Sequence, residues 1–303
     1  MRRRGADGGA DGDPAGHPDV DPRRPDVPFP DDAPLGRLVH GRPPITSPQT
    51  AIRARSLAFG YDPAGPAVLD GIDLALPAGV PTALLGANGC GKTTLLRLLL
   101  GLRRPSSGGI ELLGRPLAGM SRRERARTVG WVPQSEQIPF DFSLLDYVLL
   151  GRAPYLSPLA LPAPEDAALA RQALATVGLA ALADRPVTQL SGGEQQLGAL
   201  ARVLAQAPKI VLLDEPTSHL DLANRRAVLD VLRSLAASGT TLVFTTHDPA
   251  LAAELARYVV LLRRGARPLA GPPDALLTSG HLTDTFAVPV TVTSHPGRPV
   301  ILA

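Results

Sequence analysis

The sequence predicts an α/β fold: buried parallel strands, a small antiparallel β layer and an inserted helical subdomain. Three observations predict it. Gly86-Ala87-Asn88-Gly89-Cys90-Gly91-Lys92-Thr93-Thr94 fits G-x-x-x-x-G-K-[ST] in full, with an apolar strand-like stretch before it (80–85) and the helix-forming Leu95-Leu96-Arg97-Leu98-Leu99-Leu100 after it. Two later apolar runs, Ile210-Val211-Leu212-Leu213 and Thr241-Leu242-Val243-Phe244, read as strands buried on both faces. Between these two regions, residues 135–190 carry helical patterning.

Taken in order, residues 1–50 hold ten prolines, seven glycines, eight aspartates and seven arginines, too little apolar surface to offset ordering entropy, and read as a disordered leader. His17 and His40 are isolated there and make no metal site. From Ala51, Arg53-Ala54-Arg55-Ser56-Leu57-Ala58-Phe59-Gly60-Tyr61 alternates like an edge strand. Val68-Leu69 and Ile72-Asp73-Leu74-Ala75-Leu76 give its antiparallel neighbour, ended by Pro77 and Gly79. Tyr61 closes the first strand, and spacing alone favours a half-buried core aromatic over a site residue.

Strand, glycine loop and helix together make a triphosphate site. The glycines let backbone N–H groups close on phosphate, and the helix N-terminus adds partial positive charge. Lys92 is placed to reach the β- and γ-phosphates of ATP, and the Thr93 hydroxyl to hold Mg²⁺.

Beyond that helix, 108–114 reads as a turn plus strand, and Ser121 with Glu124 as a capping box. The strand at 129–132 stops on Pro133 and exposes Gln134. Ser143 with Asp146 reads as a second capping box, 154–164 as a Pro-rich break, and 165–177 as an Ala-rich helix. Leu190-Ser191-Gly192-Gly193-Glu194-Gln195-Gln196 opens a helix with Leu197, Leu200 and Leu204 on one side. Its serine and glycines form a second anion cradle.

Asp214 and Glu215 end one buried strand and His247 lies past the end of another, where open α/β sheets place ligands. Asp214 suits the Mg²⁺ shell, Glu215 can polarise an attacking water, and His247 can contact a γ-phosphate. A helix is expected over 223–237, a last strand at 259–262, and a helical and extended tail without nameable chemistry after 268.

Composition narrows the function. Net charge is +3, the only lysines are Lys92 and Lys209, and no block of five or six like charges exists, which argues against nucleic acid. The single cysteine, Cys90, makes no internal disulfide and is compatible with a reducing compartment. No apolar run reaches the ~18 residues of a membrane span, and the basic Met1-Arg2-Arg3-Arg4 lacks the apolar region of a signal peptide. Any membrane role is expected to come through a partner.

In this order and company, the motifs resemble those of the nucleotide-binding ATPase subunit of ABC transporters, a P-loop NTPase fold, from about Ala51 to near the C-terminus. The resemblance implies an ATPase domain over 51–290 and a C-terminal tail over 291–303. Gly86, Asn88, Gly89, Cys90, Gly91, Lys92, Thr93 and Thr94 match the Walker A loop. Tyr61 matches the aromatic that stacks on adenine, against the spacing-only reading. Gln134 matches the Q-loop glutamine, a sensor of Mg²⁺ and of the membrane partner. Ser191, Gly192, Gly193 and Glu194 match the LSGGQ signature, with Glu194 in place of glutamine. Asp214 and Glu215 match the Walker B aspartate and catalytic glutamate, Asp221 the D-loop aspartate and His247 the switch histidine. The resemblance implies two copies head to tail, each ATP lying between the Walker A loop of one and the signature of the other. It also implies a multi-span permease, an indirect link to a substrate-binding protein, and a place on the cytoplasmic side of the cell membrane.

Gly151-Arg152-Ala153-Pro154-Tyr155 is similar to the ATPases of iron-chelate, haem and cobalamin importers. Residues 142–152, 220–224 and 244–247 also resemble molybdate/tungstate members of the same group. An importer of a metal chelate is the expectation, with the oxyanion importer as alternative and an exporter subunit as another. A soluble ATPase of this type acting on nucleic acid or ribosomes is a remote alternative. Such chains carry two ATPase units or long coiled coils, whereas Gly86 and Ser191 lie about 105 residues apart with no heptads and no second copy.

Overall fold

The computed structural model describes residues 49–302 apart from Pro63, Gln137, Pro139, Pro296 and Gly297, so the leader reading, His17 and His40 lie outside the described residues. Strand β1 (Thr50–Phe59) pairs antiparallel with β2 (Leu69–Pro77) on one side and with β4 (Ser107–Leu112) on the other. It is an inner strand, not the expected edge. Arg53 and Arg55 look like edge charges in the sequence, but both reach Glu111 across the sheet on β4 (4.0 and 3.6 Å). A register shift between Ala54 and Leu57, with Ser56 at φ 44°, explains why the buried positions run 52, 54, then 57, 59. The two-residue β5 (Arg115–Pro116) closes this four-stranded layer.

Between those strands lie β3 (Thr82–Leu85) and helix α1 (Lys92–Leu99). Helix α2 (Arg122–Thr128) starts on the expected capping box of Ser121 and Glu124, and leads into β6 (Val129–Val132). The region between β6 and the next sheet strand holds α3 (Leu144–Leu149), α4 (Pro164–Thr176) and α5 (Gly192–Gln206), with short 3-10 turns including Leu150–Tyr155. The cap of α3 differs from expectation. Ser143 accepts from the Asp146 N–H, but the Asp146 carboxylate takes the Ser143 hydroxyl (2.6 Å) instead of the backbone N–H that completes a box.

Strand β7 (Ile210–Leu213), α6 (Leu222–Ala237), β8 (Thr241–Thr246), α7 (Pro249–Leu255) and β9 (Tyr258–Leu261) follow. Strands β9-β3-β8-β7-β6 pair in parallel in that order, and β10 (Leu269–Gly271) adds antiparallel on β9. The tail then gives α8 (Pro273–Leu276), α9 (Ser279–Phe286) and the hairpin β11 (Thr291–His295) and β12 (Arg298–Leu302). Val292 and Ile301 of the hairpin pack on the main core.

Successive residues of the buried parallel strands enter opposite cores. Val211 and Leu213 enter a core shared with α3 to α7, while Ile210 and Leu212 enter a second core with α1 and the antiparallel layer. The sheet is therefore covered on both faces, as continuous apolar strands require. Among the described residues no helix is long and apolar enough to cross a membrane.

Candidate active site

The phosphate loop bridges β3 and α1, and its glycines are there for space and backbone conformation. A Cβ at Gly86 would lie 2.4 Å from the Leu262 carbonyl oxygen. At Gly91, with φ 102°, it would lie 2.8 Å from Leu69 Cδ2. Gly89, at φ 77°, faces open space, so the loop backbone is accessible there. Lys92 is buried, and its Nζ donates to the Gly86 and Ala87 carbonyls of its own loop (2.7 and 3.1 Å). Cys90 is also buried. Burial pushes its thiol up, and the Lys92 charge offsets this only in part.

Asp214, at the C-terminal end of β7, is 4% exposed, so its carboxylate needs partners. Oδ1 accepts from the Thr93 hydroxyl at 3.1 Å and from the Thr245 hydroxyl at 2.6 Å. The Thr245 oxygen in turn accepts the Glu215 backbone N–H at 2.9 Å. That contact pins Glu215 at φ 44°, a left-handed conformation costing a non-glycine residue about 1–3 kcal/mol.

The Glu215 side chain points into a cluster. Oε2 accepts from the Ser218 hydroxyl (2.8 Å), lies 3.1 Å from His247 Nδ1, and has Gln134 Nε2 at 3.5 Å. Burial raises the Glu215 pKa, but the Ser218 and His247 hydrogen bonds with the His247 and Lys92 charges outweigh it and the net direction is down. Glu215 is thus ionised and an acceptor at neutral pH. The donors suit a hard cation: Thr93 and Asp214 offer two oxygens side by side. Among the described residues no group of three or more His, Cys, Asp or Glu is placed to hold a metal ion.

Tyr61 stands at the rim with 53% of the residue exposed, too open for the core role that spacing favoured. Its hydroxyl meets the Thr94 hydroxyl at 3.1 Å and takes a bond from Arg97, and its ring packs edge-on to Phe59. The Arg103 guanidinium lies over the ring, 6.0 Å from its centroid.

Ser191, Gly192, Gly193 and Glu194 form a separate group at the start of α5. The Ser191 hydroxyl accepts the Glu194 N–H (3.3 Å), and Glu194 Oε2 accepts the Ser191 N–H (2.7 Å), a full capping box. A Cβ at Gly193 would lie 2.3 Å from the Asn224 amide, so a side chain there would displace Asn224. Asp221 caps α6 through the Asn224 N–H (2.7 Å) and holds that amide (3.0 Å). Gln196 reaches the Pro216 carbonyl at 3.3 Å, so the two groups are joined through residues 215–221. Among the described hydrogen bonds and ion pairs, none runs from residues 191–194 to the phosphate loop.

A family model for ABC transporters matches residues 69–218. The Hemin import ATP-binding protein HmuV of Thermobifida fusca is 39% identical over 275 residues, covering 88% of this chain and 95% of that protein. The chain belongs to the ABC transporter ATP-binding family. Members of this family bind nucleotide and are ATPases coupled to transport. The Molybdate import ATP-binding protein MolC of Haemophilus influenzae is 41% identical over 241 residues, covering 79% of this ABC ATPase and 89% of the relative. A solved ABC transporter described as metal-chelate type, in an inward-facing conformation, is 38% identical with a TM-score of 0.73. That match covers 84% of this chain and 98% of the solved one.

Two residues of this ABC ATPase site escaped the sequence reading, Thr245 and Ser218. Ser218 sits three residues past Glu215, at turn spacing. Thr245 stands beside Asp214 only because β7 and β8 pair Leu213 with Phe244. The available signal was the pair of hydroxyls, Thr245 and Thr246, that ends the buried run Leu242-Val243-Phe244 just before His247.

Proposed function

We propose that this chain is the ATP-hydrolysing subunit of an importer that moves a metal chelate through a membrane permease. The observation that carries hydrolysis is the Glu215 carboxylate, held ionised and met at one oxygen by Ser218, His247 and Gln134 beside the Thr93–Asp214 pair. Lys92 and the loop N–H groups bind and orient the triphosphate, Glu215 accepts the proton of the attacking water, and His247 and Gln134 fix its position. Thr93 and Asp214 would hold Mg²⁺, which when bound supplies neutralising charge between the phosphates. Tyr61 takes the adenine ring.

The second group, Ser191 to Glu194 with Asp221, completes the site of another copy placed head to tail. The lack of bonds from it to its own phosphate loop supports that reading. A cleft of about 1270 Å³, lined by Leu102, Arg103, Arg125, Leu150, Ala153 and Arg202, supports a place for the permease. Leu102 and Leu150 are exposed apolar side chains in its wall. The chain then works on the cytoplasmic face, and a substrate-binding protein meets the permease and not this subunit. Kinship to a hemin importer supports a metal chelate as cargo, and kinship to a molybdate importer supports a metal oxyanion as the second reading.

The test is Glu215→Gln. The variant is expected to bind ATP as the parent does, to accumulate an ATP-bound dimer, and to lose turnover by at least about 10²-fold. Hydrolysis at the parent's rate would remove Glu215 as the base. Purification of the tagged chain from native membranes tests the transport half, and recovery without a multi-span permease counts against it.

A further inference from the structure

Gln134 and Glu136 stand two residues apart on the segment that follows β6, yet they touch different parts of the protein. Gln134 reaches Glu215. Glu136 turns onto the helical insertion, where Oε2 accepts from the Tyr147 hydroxyl at 2.7 Å and Oε1 takes Arg202 Nη1 at 2.8 Å. Tyr147 belongs to α3 and is 2% exposed, and the Arg202 guanidinium of α5 lies 4.9 Å over its ring. Burial holds the Tyr147 hydroxyl above its ordinary pKa, so it stays a donor. Exposed ion pairs hold little, but here both carboxylate oxygens are engaged and the Arg202 side chain is only 18% exposed, which makes the contact directional. Arg202 also forms part of the wall of the large cleft.

We infer that Glu136 is a positioning residue that ties the Gln134 segment to α3 and α5, so that a change in contact at Glu215 is carried into the helical insertion and the cleft wall at Arg202. The inference rests on the nucleotide reading above. It assigns the link to one side chain: without Glu136, the segment still presents Gln134 to Glu215 but has no charged hold on the insertion. Arg123 makes a second attachment to the same region through the Pro154, Tyr155 and Leu156 carbonyls, but it comes from α2 and does not pass through the segment that carries Gln134.

The test is amide hydrogen exchange on the full chain, with and without Mg²⁺ and a non-hydrolysable ATP analogue. In the parent, the analogue is expected to slow exchange at 86–94 and 133–136 and to change exchange across α3. In Glu136→Ala the first two responses persist, while the α3 response falls about tenfold, the weight of one charge-assisted hydrogen bond. Glu136→Arg combined with Arg202→Glu, which reverses the pair, is expected to restore it. An α3 response in Glu136→Ala equal to the parent's overturns the inference, as does a parent whose loop responds while α3 does not. Should Glu136→Ala fail to fold, Tyr147→Phe and Glu136→Gln carry the comparison, and an undiminished α3 response in both overturns it. No protection at 86–94 in the parent is a different result: it removes the nucleotide reading, and this inference with it.

Discussion

Replacing Thr245 by valine keeps the shape of a side chain that is fully buried and removes one oxygen with two jobs. That oxygen donates to Asp214 at 2.6 Å and accepts the Glu215 N–H at 2.9 Å. A hydrogen bond to a buried carboxylate contributes about 1.5–3 kcal/mol, and a buried N–H left without a partner costs about 1–3 kcal/mol. The added methyl recovers part of this, roughly 0.8 kcal/mol. The balance is a stability loss of about 2–5 kcal/mol, read as a lower urea midpoint at unchanged slope. Glu215 also loses the contact that holds its left-handed backbone, and a carboxylate displaced by about 1 Å gives up roughly 10²-fold in turnover. The assay is urea unfolding beside single-turnover ATP hydrolysis, with Thr245→Ser as the control expected to recover most of both. Valine within 0.5 kcal/mol of the parent (about the noise of such a measurement) and within about twofold in rate would refute the reasoning.

Three further outcomes follow from the same geometry. Glu194→Gln keeps the capping box, since glutamine serves at that position, but removes a negative charge from a surface read as meeting phosphate; ATP-driven dimerisation should tighten by about two- to fivefold, and unchanged or weaker association contradicts that placement. Cys90 should alkylate at pH 7 more than about tenfold slower than a free thiol and speed up as pH rises past the ordinary cysteine range; the modified protein should lose ATP binding, and Cys90→Ser should keep it. Glu124 is held down to about 2 by the Arg115 guanidinium and the Ser121 N–H and hydroxyl. A lowered carboxylate pKa means its contribution is present above the unfolded value near 4.5 and lost as pH falls through about 2, so a carboxyl titration followed by NMR should show this residue still charged at pH 4.

What could be read from the sequence was whatever chemistry lies within a few consecutive residues. The loop at 86–94 carries its glycines, Lys92 and Thr93 in nine positions, and Asp214 and Glu215 are neighbours at a strand end. Both were legible because a strand's C-terminal end fixes where they point. Thr245 was not, because its role depends on which residue of β8 lies beside Asp214, and pairing register is not written in either strand alone. The inner position of β1 was hidden by Arg53 and Arg55, whose charges are answered by Glu111 more than fifty residues on. Tyr61 was misjudged by spacing because the chain leaves the sheet at Gly60, which turns the ring outward to α1.

The pairing of β3 carries a consequence for how the protein is made. This strand leads into the phosphate loop, yet both its neighbours come more than 150 residues later: β8 starts at Thr241 and β9 at Tyr258. A ribosome adding about 5–20 residues each second leaves β3 without a partner for roughly 8–30 s after it emerges. The antiparallel layer has its own strands at 50–59, 69–77 and 107–112 and can close within that time. Thr93 meanwhile waits for Asp214, which is also made late. A chain made only through the antiparallel layer therefore has the loop but not its footing, and the loop is complete only once Asp214, β8 and β9 have been made.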